Sequence, residues 1–107
     1  MHTVSVAGEL DQSTAPELRT ALTDALGGDN EAGVLVDLSD CNFIDSTGLS
    51  LLVEAKRRLA EDHRRFGVCC ADADVRRLLE LTGIDQAVNL FDTRAEAVAA
   101  LSNGTAA

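Results

Sequence analysis

The chain has 107 residues, enough to bury one core and too few to divide into two. It is 46% hydrophobic and 25% charged with a single proline, which excludes a disordered chain. Nine basic residues against eighteen acidic give a net charge of −9, which excludes a nucleic-acid footprint and disfavours an anionic membrane surface.

In chain order, Thr3 to Ala7 reads as a short strand ending at Gly8. Thr14-Ala15-Pro16-Glu17 opens a helix as a capping box with proline in the first turn. Leu18, Ala21, Leu22, Ala25 and Leu26 follow at helical spacing, and Gly27-Gly28 stops it. Val34-Leu35-Val36 suits a strand buried on both faces. A loop is expected next, then Asp45-Ser46-Thr47-Gly48 and a helix striped by Leu49, Leu52, Val53, Lys56 and Leu59. Lys56, Arg57 and Arg58 lie toward its C-terminal half, where cations suit the helix dipole. Arg65 to Ala71 is the next strand, with Phe66 and Val68 on one face. Asp72 caps a third helix carrying Val75, Leu78 and Leu79, and Gly83 ends it. Val88 to Phe91 is a short strand. Thr93-Arg94-Ala95-Glu96 opens a last helix with Ala95, Val98 and Leu101 inward, and 102–107 should fray. Strands alternating with helices imply βα units with right-handed crossovers, hence an α/β fold with a largely parallel sheet.

No apolar run approaches the roughly 20 residues that span a bilayer. Met1 to Val6 lacks the features of a signal peptide, so the cytoplasm is the expected location. Phe43, Phe66 and Phe91 are the only aromatics, too few for a base-stacking platform. Cys41, Cys69 and Cys70 are odd in number and form no Cys-x-x-Cys pair, so neither a zinc site nor a redox motif is supported. Cys69 and Cys70 should point to opposite faces of their strand. His2 and His63 lie in poor places for a serine–histidine dyad, and no metal-ligand spacing occurs. No enzyme, cofactor or metal is expected.

The segment from Val34 to Leu49 is the informative one. A buried strand leads to a helix whose first turn is Ser-Thr-Gly. Helix N-termini carry unpaired N–H groups and partial positive charge, so they accept a phosphate on a ligand or on a hydroxyl already there. Ser46 and Thr47 are the candidate hydroxyls, and Gly48 would let another backbone come close. Taken alone, Asp-Ser-Thr-Gly is also an ordinary helix cap.

Three motifs then occur in order: Gly8-Glu9-Leu10-Asp11; Asp37-Leu38-Ser39 with Phe43-Ile44-Asp45-Ser46-Thr47-Gly48-Leu49; and Leu79-Glu80-Leu81-Thr82-Gly83-Ile84. From Val4 to Leu101 the chain resembles the STAS domain of bacterial anti-sigma factor antagonists. The resemblance implies a single STAS domain over 1–107 (core about 3–101), a mixed, largely parallel sheet and four main helices. It implies phosphorylation of Ser46 by the anti-sigma factor itself, an ATP-dependent serine kinase of the GHKL type. The unphosphorylated protein would bind the kinase and free the sigma factor. The phosphorylated protein would not bind until a PP2C-type phosphatase restored it. Asp11, Asp45, Ser46, Thr47, Gly48 and Leu49 are the implied partner-binding residues. A lipid- or anion-transport module is the alternative that the same domain would serve.

Family members carry a further strand before the Gly-Glu-Leu-Asp motif, and here only seven residues precede Gly8. That strand is expected to be missing, leaving Thr3 to Ala7 as an open edge. A helix or a neighbouring chain, such as a second copy in a homodimer, is the expected cover.

Overall fold

The computed structural model describes residues 2–27 and 33–102. The elements are β1 (His2–Leu10), α1 (Ala15–Leu26), β2 (Val34–Ile44), α2 (Ser46–Glu61), β3 (Phe66–Cys69), α3 (Ala73–Leu81), α4 (Ile84–Ala87), β4 (Asn89–Phe91) and α5 (Arg94–Ser102). The four strands form one sheet in the order β1-β2-β3-β4, and every pairing is parallel. Parallel neighbours cannot be joined by a hairpin, so a helix lies between each pair.

One face of the sheet presents Val34, Val36, Leu38, Phe66, Val68 and Cys70 to α1, α2 and α3. The other presents Leu35 and Cys69 to Ala97 and Leu101 of α5, with Phe91 against them. Cys69 and Cys70 thus enter opposite layers, as the strand period requires. All three crossover helices sit on one face, the arrangement that successive right-handed crossovers give. Gly67 lets α5 come close, since a Cβ there would lie 2.8 Å from Leu101 Cδ1 and 3.0 Å from Phe91 Cε2.

Several elements depart from the sequence reading. The loop expected after Val36 is strand: β2 runs on to Ile44, with Leu38, Cys41 and Ile44 buried. β1 likewise extends to Leu10. Register shifts between Ser5 and Ala7 and between Gly8 and Glu9 absorb the mismatch, and Gly8 takes a positive φ of 77° that suits glycine. The third strand is shorter than expected, Phe66–Cys69, although the Arg65 carbonyl and the Cys70 N–H still bond to β2 and β4. The short α4 was not anticipated. It follows Gly83, which ends α3 in the left-handed conformation at φ 80°. On α5, Ala97 and Leu101 are buried, whereas Ala95 and Val98 face outward.

The Thr14 capping box does not form. Its Oγ1 donates to the Glu9 carbonyl at 2.8 Å and accepts from the Asp11 N–H at 2.9 Å. At Thr93 the cap does form, Oγ1 accepting from the Glu96 N–H at 3.1 Å. Gly27 caps α1; Gly28 and the 103–107 part of the expected tail lie outside the described residues. Arg64, buried after α2, donates to the Ala25 carbonyl at 3.2 Å and so serves the C-terminus of α1.

Among the described residues β1 pairs with β2 alone and forms one edge of the sheet. No described helix fills that edge. A groove of about 490 Å³ runs beside it, bounded by His2 to Ser5 and by Ala21, Asp24 and Ala25 of α1.

Candidate functional site

β2 ends at Ile44 and delivers Asp45 to the N-cap of α2. Asp45 is extended, with φ −109° and ψ −174°, as an N-cap should be. Its Oδ1 accepts from the N–H groups of Thr47 at 2.9 Å and Gly48 at 3.1 Å. Its backbone carbonyl accepts from the Leu49 N–H at 3.0 Å. Of the N–H groups of Ser46, Thr47, Gly48 and Leu49, only that of Ser46 has no partner among the described residues.

Two further bonds tie this helix end to the loop after β1. The Asp45 N–H donates to the Leu10 carbonyl at 3.1 Å, and the Gln12 N–H donates to Asp45 Oδ2 at 3.2 Å. Asp11, between them, organises its own turn. Its Oδ1 accepts from the Ser13 N–H at 2.9 Å, the Ser13 hydroxyl at 2.6 Å and the Thr14 N–H at 3.1 Å. The Ser13 hydroxyl leads the effects that hold the Asp11 carboxyl below the ordinary carboxylate range. The structure therefore brings the loop of Asp11 and the Asp45 cap to one corner.

Ser46, the first residue of α2, is exposed, and among the described residues its hydroxyl has no partner. Thr47 is half-buried. Leu49 packs partly against the main core. Gly48 is buried, and what comes close is side chain, not the backbone anticipated from the sequence. A Cβ at Gly48 would lie 2.7 Å from Leu10 Cγ and 2.9 Å from Ile44 Cγ1.

A model of the STAS domain matches residues 2–97. The chain belongs to the STAS domain family. Over 101 residues it is 31% identical to the anti-sigma-F factor antagonist RsfB of Mycobacterium tuberculosis, covering 94% of this chain and 81% of RsfB. Over 81 residues it is 35% identical to the anti-sigma-B factor antagonist of Staphylococcus aureus, covering 76% of this chain and 74% of that one. A crystal structure of an anti-sigma factor antagonist from Mycobacterium paratuberculosis superimposes with a TM-score of 0.84 at 34% identity, covering 94% of this chain and 84% of that one. These relatives are regulatory binding proteins by name, not enzymes.

Two features of this STAS domain escaped the sequence reading. The first is the Gln12 tether, which joins residues 33 apart and leaves no local signature. The second is a buried cluster on the α5 side of the sheet. Asp37 Oδ1 accepts from the Ser39 hydroxyl at 2.5 Å, the Ser39 N–H at 2.9 Å and the Cys69 thiol at 3.1 Å. Arg94 at the start of α5 stands 3.5 Å from Asp37 Oδ2. Burial alone would raise the Asp37 carboxyl; the bonds from Ser39 and Cys69 and the Arg94 charge outweigh it and hold the group below its ordinary value. Burial, then Asp37 itself, pushes the Cys69 thiol up to about 11, so it stays protonated and donates. The cluster fastens β2, β3 and α5 together. No helix among the described residues is long and apolar enough to cross a membrane.

Proposed function

We propose that this STAS domain is an anti-sigma factor antagonist switched by phosphorylation of Ser46. The observation that carries the reading is the state of Ser46. Its hydroxyl is exposed and, among the described residues, without a partner at the head of α2, while the Asp45 carboxylate before it is committed to the N–H groups of Thr47, Gly48 and Gln12. A kinase can reach it without breaking the fold. In the transfer, the Ser46 oxygen takes the γ-phosphoryl group of ATP and releases ADP and a proton. The anti-sigma factor, a GHKL-type serine kinase, is the donor enzyme in this reading. A PP2C-type phosphatase returns the hydroxyl by hydrolysis.

The added group brings about −1.5 to −2 charges. A bare helix N-terminus would stabilise it by roughly 0.3–1 kcal/mol. Here the Asp45 carboxylate already holds two of the N–H groups and repels the phosphate, so the net effect on the fold is small. A docked face is different. Desolvating an unpaired charge costs several kcal/mol, and each 1.4 kcal/mol is tenfold in affinity. Phosphorylation therefore blocks docking without reshaping the domain. Asp11, Asp45, Thr47, Gly48 and Leu49 belong to the same docking corner.

The test is incubation with candidate anti-sigma kinases and ATP, with the phosphate mapped by mass spectrometry. Ser46→Ala is expected to bind the kinase with or without ATP, and Ser46→Asp to bind poorly with an unchanged melting temperature. Equal binding by the two variants, or no phosphate on Ser46, overturns the switch.

A further inference from the structure

We propose that β1 accepts a further strand from another polypeptide, an extended segment in which lysine or arginine alternates with apolar residues. The sheet has two edges. β4 is three residues long, a length at which an edge is already blunted. β1 is nine, and among the described residues it pairs with β2 alone. A strand paired on one side points every second N–H and C=O outward. Thr3 to Gly8 holds no charge and no proline, the residues that commonly guard such an edge. The register shifts begin only after Ser5, so His2 to Ser5 is a regular stretch on which a new ladder can start.

Space beside this edge runs the length of the strand. The groove of about 490 Å³ along His2 to Ser5 is continued by one of about 130 Å³ along Val4 to Ala7 and Glu9, and the two share Val4, Ser5 and Ala21. Ala21 is small and half-buried, so α1 leaves room at their junction. Val4 and Val6 pack partly against the core, and an added strand would cover what remains exposed of them. In strand addition the main-chain bonds supply affinity, and alternate side chains supply selectivity.

Charge selects the occupant. Glu9, Glu17 and Asp24 line the two grooves, all three are exposed, and their carboxylates have no partner among the described residues. No lysine or arginine lines either groove. Cationic side chains on the α1 side of an added strand would lay their apolar stems over Ala21 and reach these carboxylates with their heads. The segments of this chain outside the described elements do not fit, since neither 28–32 nor 103–107 holds a cation. A second copy would pair β1 with β1 and set Glu17 and Asp24 against their own counterparts, which disfavours self-association.

The experiment titrates the full-length protein with a capped peptide of about eight residues that alternates arginine with valine, and reads amide exchange along β1. Saturable binding is expected, with exchange at residues 3–8 slowed at least tenfold. Glu17→Lys combined with Asp24→Lys, both at exposed sites, is expected to weaken binding at least tenfold with an unchanged melting temperature. Ala21→Arg, which fills the junction of the grooves and leaves the carboxylates in place, is expected to weaken it as much. No saturable binding, or binding that leaves exchange along β1 unchanged, overturns the added strand. Equal binding of the double lysine variant, or of a peptide alternating glutamate with valine, overturns the basic occupant. Slow exchange at residues 3–8 in the free protein overturns it as well: in a dimer by sedimentation the occupant is a second copy, and in a monomer the chain covers its own edge.

Discussion

At Gly48 the space for a side chain is already taken by Leu10 and Ile44. An alanine there gains about 1 kcal/mol of helix propensity but forces its Cβ to within 3 Å of both residues. Overpacking of this kind costs about 1–3 kcal/mol. The clash wins, because Leu10 Cγ and Ile44 Cγ1 sit near the backbone and cannot swing aside. Gly48→Ala is expected to lower stability by about 1 kcal/mol net, read as a lower urea midpoint. An unchanged or higher midpoint would show that α2 can shift freely. The Asp-Ser-Thr-Gly run was legible because capping chemistry is local: Asp45 caps, and Gly48 is needed for a close approach. What Gly48 approaches was not legible, since Leu10 is 38 positions away in the chain and only tertiary packing brings it there.

At the scale of elements, β2 shows why polar residues mislead. Asp37, Ser39 and Asp40 interrupt the apolar run, so the sequence reads as strand then loop. The strand persists because Asp37 is satisfied inside the sheet by Ser39, Cys69 and Arg94, and because β1 continues the ladder to Ile44. No local pattern announces a partner on another strand. The same blindness misplaced Ala95 and Val98 on α5, where alanines surround the helix and Ala97 joins the expected Leu101 against the sheet. Asp37 also makes a pH prediction. Its folded-state value lies below its unfolded one, so its contribution is present above the unfolded value and is lost as pH falls through the folded one. The urea midpoint is expected to drop on acidification below about pH 4, the ordinary carboxylate range. Asp37→Asn is expected to be less stable at neutral pH and to show a shallower acid limb. Parallel acid limbs for the two proteins would remove Asp37 from the account.

Across the whole molecule the net charge of −9 acts at a distance that no single residue does. One phosphate on Ser46 would change it by less than a quarter, so the proposed switch would work through its place on α2, while the bulk charge would govern encounter. If the partner presents a basic surface to this acidic chain, association is expected to slow markedly as salt rises from about 0.05 to 0.3 M, because the screening length falls toward molecular contact. An association rate insensitive to salt would show that steering plays no part. The α/β class itself was legible from alternation alone, since strands buried on both faces with amphipathic helices between them admit few other architectures. The wholly parallel sheet has a kinetic consequence. No two neighbouring strands are joined by a hairpin, so each ladder must close roughly twenty intervening residues, helix included, before its first hydrogen bond can form. Refolding is therefore slower than for a helical bundle of this length. β1 and β4 are each held by a single ladder, and β4, with three paired positions against eight for β1, is expected to lose its partner first, read as faster amide exchange along Asn89–Phe91.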